Sequence, residues 1–123
     1  MASHLLFPSV VLTTTGRRSG LPRATPLCAY RYANGAWLVA ATNFGRTRHP
    51  QWSGNLLRHA EATITWEGRV VPVTARLLPP AEHAVHRPQL VAMMPVFDHY
   101  TVRATGRQIR VFLLEPTTAE GLL

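Results

Sequence analysis

Short stretches in which β-branched and apolar residues recur at every second position dominate this 123-residue chain. Such alternation is typical of β-strands with one buried face, whereas a helix repeats its apolar positions every three or four residues. Turn-forming glycines separate the stretches. The pattern predicts six strands, at residues 10–15, 24–32, 37–41, 63–66, 71–77 and 108–114.

The clearest turn signal is Asn34-Gly35, because this dipeptide favours the type I′ hairpin, whose two central residues need positive φ angles. The turn would join residues 30–32 to residues 37–41. That second run is apolar on both faces, as in a strand buried inside a barrel.

Proline residues help to place the helices between these strands. Helices are predicted from Pro50 to about His59, after Pro79-Pro80 to about Met93 with a break near Pro88, and over residues 96–103. We therefore expect residues 1–123 to form a single domain of the α+β class, mainly β, in which two or three helices interrupt a small six-stranded barrel.

Composition excludes several classes of protein. The chain is 46% hydrophobic and 15% charged, as in a globular domain, and it has no apolar run of the ~20 residues that a membrane helix needs. Its single cysteine, Cys28, permits no internal disulfide, and we expect that side chain to be buried in a strand. The histidines lack a third ligand at a suitable spacing, so we expect no metal site. Without an integral membrane segment or a signal peptide, a cytoplasmic location is expected.

The charge balance points to an anionic partner. All 13 basic residues are arginine, against 6 acidic residues, which gives a net charge of +7. A coding bias accounts for arginine in place of lysine, but it does not account for so few acids. The surplus favours nucleic acid, an acidic membrane surface or a multiply charged small molecule.

Two turns concentrate the arginines. The first is Thr13–Gly20 followed by Arg23, where glycines allow close backbone approach and guanidinium groups suit phosphate or carboxylate. The second, residues 41–56, leaves a buried strand and enters a helix, whose free N–H groups also favour anions. The alternatives are a solvated hairpin tip for the first turn and an ordinary helix start for the second.

A third cluster, residues 93–100, contains Met94, Phe97 and Tyr100 at three-residue spacing. It is either a packed helix or an aromatic wall over a flat ligand. In the second case the Tyr100 hydroxyl can donate a proton.

Taken together, these motifs resemble the deazaflavin-dependent nitroreductase family. The resemblance covers about residues 9–116 and rests on Thr-Thr-Thr-Gly-Arg-Arg-Ser-Gly at 13–20 with Pro-Arg-x-Thr-Pro-Leu at 22–27, on Gly-x-x-x-His-Pro-x-Trp-x-x-Asn-Leu at 45–56, and on the strand at 110–116. It implies a split β-barrel of the flavin-reductase type that binds coenzyme F420, a deazaflavin with a phospholactyl and oligoglutamate tail.

The resemblance also implies a role for individual residues. The cofactor's anionic tail would meet Arg17, Arg18 and Arg23. The ring and the remaining pocket would be lined by Thr25, Pro26, Leu27, Thr42, Asn43, Arg48, His49, Pro50, Trp52 and Asn55. Met94, Phe97 and Tyr100 would form the acceptor wall, in place of a tyrosine-rich one, with Tyr100 as the candidate catalytic acid.

We accordingly expect an F420H2-dependent oxidoreductase that reduces a small planar acceptor such as a quinone, enone or nitroaromatic, with a homodimer compatible with this fold. The alternatives are an FMN-binding split-barrel reductase and a non-catalytic deazaflavin carrier. A nucleic-acid-binding barrel is disfavoured, because Trp37 and Trp66 lie in apolar strands and do not alternate with arginine on an exposed face.

Overall fold

A computed structural model describes residues 9–43, 48–94 and 108–117. In these ranges the fold is mainly β, with one antiparallel sheet of seven strands and three short helices. The elements are β1 Ser9–Thr15, β2 Pro22–Cys28, β3 Tyr30–Arg31, β4 Trp37–Ala40, α1 Gln51–Arg58, β5 Glu61–Trp66, β6 Arg69–Leu77, α2 Pro80–His83, α3 Arg87–Met93 and β7 Val111–Pro116. The strand order across the sheet is β2-β1-β5-β6-β7-β4-β3.

The prediction of six strands was wrong, because residues 24–32 form two strands and not one. β2 pairs with β1, β3 pairs with β4, and the two lie at opposite edges of the sheet. Only the fully buried Ala29 separates them. Since two residues that flank a third lie at most about 7 Å apart along the chain, the opposite edges meet at this point and the sheet is curled.

The turn geometry also differs from the prediction. Gly35 has a φ of +91°, but Asn34 does not have a positive φ, so a three-residue loop from Ala33 to Gly35 replaces the type I′ turn. The Asn34 side chain stabilises this loop by accepting a hydrogen bond from Ala36 N at 3.0 Å. Both central residues have positive φ at Glu67–Gly68 instead, with values of 49° and 76°. The type I′ geometry therefore joins β5 to β6.

The core lies on both faces of β4 and β7, as the doubly apolar run at 37–41 predicted. Trp37, Val39, Phe112 and Leu114 belong to one buried cluster. The alternating residues Leu38, Val111 and Leu113 belong to a second cluster, which α3 covers with Leu90 and Met93. Alternation along two adjacent strands thus divides the interior into two clusters.

The helices follow the predicted order with altered limits. α2 and α3 are separated at residues 84–86, ahead of Pro88, because proline is tolerated in the first turn of a helix and here lies in the first turn of α3. The predicted helix at 96–103 lies outside the described residues. No helix in the described ranges is long and apolar enough to cross a membrane.

Cys28 was predicted to be buried and is exposed. It lies at the end of the edge strand β2, where Pro22, Pro26 and Cys28 face away from the core while Leu27 packs against it. The apolar neighbours in the sequence suggested burial. Pro26 had indicated that the strand starts at an edge or a bulge, because proline cannot donate a hydrogen bond within a sheet, and β2 is an edge strand.

Candidate functional site

A cavity of about 1010 Å³ lies where the two edges of the sheet meet. Its walls come from β2, from the end of β4 with the loop that follows, and from the start of α1. None of its lining residues is acidic, and most present apolar or uncharged atoms. They are Thr25, Pro26, Leu27, Cys28, Ala40, Thr42, Asn43, Arg48, His49, Pro50, Gln51, Trp52 and Met94. The lining suits a ligand of mainly apolar character.

A second cavity, of about 700 Å³, lies between the β1–β2 turn and α1. It has three arginines and no acidic residue among its lining residues, which are Gly16, Arg17, Arg18, Ser19, Pro22, Arg23, Ala24, Thr25, Gln51, Trp52 and Asn55. The two ion pairs in the described part of the chain both involve Arg76, far from this lining in the sequence. Positive charge without a carboxylate partner makes this cavity suitable for an anion.

The two cavities adjoin each other, since Thr25, Gln51 and Trp52 line both of them. Trp52 is only 8% exposed, and its ring centroid lies 5.9 Å from that of Phe112 in the core. The boundary between the cavities is therefore a packed aromatic side chain. The arrangement can accept a single ligand with a mainly apolar head and an anionic extension.

Helix α1 is fixed by three buried side chains. Trp52 packs against Phe112, and the fully buried Ser53 accepts a hydrogen bond from Arg110 Nη1 at 2.9 Å. Asn55 Nδ2 donates to Thr14 Oγ1 at 3.0 Å. The first turn of α1 contains no acidic residue and Pro50 caps it without a side-chain bond, so nothing in that turn offsets the positive end of the helix.

The β1–β2 turn is closed by its own backbone. Gly16 N donates to Leu21 O at 2.8 Å, and Gly20 N donates to Gly16 O at 2.9 Å. Arg17 turns back towards α1: its backbone N–H donates to Asn55 Oδ1 at 3.0 Å and its Nη1 donates to Gln51 O at 3.3 Å. Arg18 and Arg23 are exposed beside the second cavity.

The loop after β4 is fastened where it returns to α1. Asn43 adopts a left-handed conformation with a φ of 48°, which asparagine tolerates better than most residues. Its Nδ2 donates to Arg48 O at 3.0 Å. This bond brings Asn43 and Arg48 to the rim of the first cavity.

The structure brings the described members of the predicted site together around the two cavities. Arg17, Arg18, Arg23 and Asn55 line the second cavity, Thr25 and Trp52 line both, and the others line the first. Met94 is also at the first cavity, whereas Phe97 and Tyr100 lie outside the described residues. Sequence reasoning did not assign Gln51, which lines both cavities, to the site. It also did not assign Ala40 and Cys28 at the first cavity, or Gly16, Ser19, Pro22 and Ala24 at the second. Gln51 could have been found because it follows Pro50 in the first turn of the predicted helix, at a site expected to bind an anion.

Comparison with known proteins identifies the family. The family model described as F420H(2)-dependent quinone reductase matches residues 3–116. The chain belongs to this family. An F420H(2)-dependent quinone reductase of Mycobacterium tuberculosis is 34% identical over 73 residues, which are 59% of this chain and 48% of that protein. The chain thus spans about half the length of the curated relatives that it matches.

Solved structures agree with this membership in the F420H(2)-dependent quinone reductase family. An F420-H2 dependent reductase matches with a TM-score of 0.75 and 33% identity over 88% of this chain and 94% of its own. A protein described as a domain-swapped dimer matches with a TM-score of 0.76 and 33% identity over 88% of this chain and 80% of its own. The family predicted from the motifs at 13–27 and 45–56 is therefore confirmed, under a description that names quinone rather than nitro reduction.

Proposed function

We propose that this protein binds reduced coenzyme F420 and catalyses hydride transfer from it to a planar, electron-poor acceptor, with quinones favoured by the family's description. The observation that carries the proposal is the junction of two unlike cavities. One has a mainly apolar, acid-free lining, and the other has three arginines and no acid. A deazaflavin ring with a polyanionic tail matches both at once.

The proposal assigns the ring to the first cavity. Thr25, Pro26 and Leu27 would line one side of it, and Thr42 and Asn43 would approach its edge. His49, Pro50 and Trp52 would close the pocket, while Arg48 would add positive charge at the rim. The curled seven-stranded sheet would be the split barrel of flavin-reductase-like proteins, in a single domain.

The tail would extend into the second cavity. There Arg18 and Arg23 are exposed and would donate charge-assisted hydrogen bonds to its phosphate and carboxylates, with Arg17 beside them. Such bonds contribute roughly 1.5–3 kcal/mol each where they are desolvated and less at a wet rim. This charge complementarity also explains why arginines gather at this turn.

In the proposed mechanism the bound deazaflavin supplies hydride as a two-electron carrier, and the chain orients it. Trp52, packed on Phe112, would hold the ring against movement. Met94 lines the first cavity and with Phe97 and Tyr100 would form the acceptor wall. Either the Tyr100 hydroxyl or water would protonate the product.

Two other functions compete with this one. An FMN-dependent reductase would use the same first cavity, but its shorter and less charged tail would leave the arginine-lined cavity partly unused. A non-catalytic deazaflavin carrier would bind F420 equally well without turnover. A homodimer and a cytoplasmic location remain part of the proposal, supported by the likeness to a domain-swapped dimer and by the sequence.

Separate titrations with F420 and FMN, followed by the fluorescence of the tryptophans, test the proposal. Because Trp52 lines both cavities, ligand binding should change its emission. We expect F420 to bind in the low-micromolar range or better, and FMN at least tenfold more weakly, a difference of about 1.4 kcal/mol. Equal or stronger binding of FMN would refute the cofactor assignment.

A further inference from the structure

We propose that Asn55 is a positioning residue that holds the β1–β2 turn against α1, and that this hold sets the affinity for the anionic part of the ligand. The inference rests on the proposed function, since it takes Arg18 and Arg23 as the groups that meet that part. Asn55 is itself only 4% exposed, and its polar atoms form hydrogen bonds within the protein.

Both the oxygen and the nitrogen of the Asn55 side-chain amide form hydrogen bonds within the protein. Its Oδ1 accepts from Arg17 N at 3.0 Å and lies 3.5 Å from Arg17 Nη1, and its Nδ2 donates to Thr14 Oγ1 at 3.0 Å. Thr14, 2% exposed, in turn donates a long hydrogen bond of 3.5 Å to Arg23 O on β2. One buried side chain on α1 thereby links β1, the turn and, through Thr14, the strand that carries Arg23.

The partners explain why asparagine is needed at this position. A backbone N–H can only donate, so an acceptor must face Arg17, while the Thr14 hydroxyl can accept from a donor on the other side. Aspartate would lack that donor, and leucine, of similar size, would lack both groups. A buried polar group left without its partner destabilises the fold, which favours the single arrangement observed.

The hydrogen bonds of Asn55 determine the position of the β1–β2 turn relative to α1, whereas the backbone hydrogen bonds within the turn determine its conformation. The bonds Gly16 N to Leu21 O and Gly20 N to Gly16 O stay within the turn. In the described structure, the hydrogen bonds that join the turn to α1 run from Arg17 to Asn55 and to Gln51 O. Loss of the Asn55 amide would leave a folded turn with a less defined position.

The three arginines at the second cavity have different roles in this arrangement. Arg17 donates its backbone N–H and its Nη1 to groups on α1, and so joins the turn to that helix. Arg18 and Arg23 are exposed beside the second cavity. A ligand that needs both exposed arginines would lose affinity when the turn shifts, although no charge has been removed. A ligand that contacts only the first cavity would not.

Two isosteric, uncharged substitutions test this: Asn55→Leu and the milder Thr14→Val, with Thr13→Val as the matched control on the opposite face of β1. Affinities are measured for F420 and for the same deazaflavin without its tail, over a range of salt concentrations. We expect at least tenfold weaker F420 binding, less than twofold change for the tail-less compound, and a shallower salt dependence. A neutral substitution can flatten the salt dependence only by moving charged groups.

Amide hydrogen exchange of ligand-free protein supplies the second readout. Arg17 N–H should exchange slowly in the native protein and in Thr13→Val, and faster in Asn55→Leu and Thr14→Val. Equal loss of affinity for both ligands, or an unchanged salt dependence, would overturn the inference, as would an Arg17 amide that stays protected. If the native protein binds F420 no better than the tail-less compound, the tail assignment in the proposed function fails, whereas the exchange data still decide whether Asn55 holds the turn.

Discussion

The guanidinium of Arg17 occupies the space beside the α-carbon of Gly54: a β-carbon at that position would lie 2.8 Å from Arg17 Nη1 and 3.2 Å from its Cζ. Glycine inside a helix is otherwise unfavourable by about 1 kcal/mol relative to alanine. The close approach accounts for its presence in the middle of α1.

This contact predicts that the effect of Gly54→Ala depends on residue 17. In an Arg17→Ala background, Gly54→Ala should raise the free energy of unfolding by about 0.5–1 kcal/mol, the helix propensity of alanine. In the native background the gain should vanish or reverse, because the methyl group displaces the guanidinium. Urea unfolding of the four proteins measures the difference. An equal increase in the free energy of unfolding in both backgrounds would show that the contact between Arg17 and Gly54 does not affect stability.

The exposed arginine of the turn gives a prediction on binding. Arg18→Ala should weaken F420 binding by about tenfold, or about 1.4 kcal/mol, and reduce its dependence on salt, because one charge-assisted contact to the tail is lost. The tail-less deazaflavin should bind almost as before. Arg69→Ala, an exposed arginine that starts β6 and lines neither cavity, is the control. An equal loss for both ligands would mean that Arg18 acts on the fold.

Tyr32 predicts a loss of stability at alkaline pH. Its Oη lies 2.6 Å from His86 Nδ1, and burial, with a smaller effect of the neighbouring Tyr30, raises the pKa of its phenol above the ordinary 10.0. A group with a raised pKa in the folded state contributes stability that is complete below the ordinary value and is lost as the pH rises towards the folded value. The free energy of unfolding should therefore fall above about pH 10.

Tyr32→Phe is the matched test of this pH effect. It should lower stability near neutral pH by about 1 kcal/mol, because the hydrogen bond to His86 is lost. It should also reduce the alkaline slope, which chemical unfolding at several pH values between 8 and 11 would show. Equal slopes in the two proteins would assign the alkaline loss to other groups.

Substitution of Tyr100 tests the source of the proton, and assays of F420H2 oxidation distinguish an enzyme from a carrier. If its hydroxyl is the general acid, Tyr100→Phe should lower turnover by about 10–100-fold and leave F420 affinity unchanged. A change of less than twofold would assign protonation to water. Tight binding of F420 without oxidation of F420H2 by any quinone, enone or nitroaromatic would support the carrier.

Local patterns predicted much of the fold, and long-range pairing accounts for what they missed. Alternation located the strand positions, and the doubly apolar run at 37–41 correctly indicated burial on both faces. The division at Ala29 could not be predicted, because residues 24–32 look like one continuous strand until the pairing partners of their two halves are known. The exposure of Cys28 follows from the same cause.

The candidate site shows the same limit. The motifs placed the arginines, Trp52 and the residues around Thr25 correctly at two adjoining cavities, and their roles in binding stay predictions. The linkage of Asn55 with Thr14 and Arg17 was missed, because these residues are 41 and 38 positions apart in the sequence. Spacing can indicate which residues share a helix face, but it cannot indicate which buried amide meets which hydroxyl.

The position of β7 between β6 and β4 has a consequence for how the chain folds during synthesis. β7 is the last strand of the sheet in the sequence, yet it lies in the middle of the sheet. Among the described residues, the β3–β4 pair is hydrogen-bonded to the other strands only through it. Until Val111–Pro116 leaves the ribosome, β4 and β6 each present an unpaired edge, and such edges invite association with other chains. Folding should therefore be late, slow and sensitive to truncation, with chains cut before Val111 prone to aggregate.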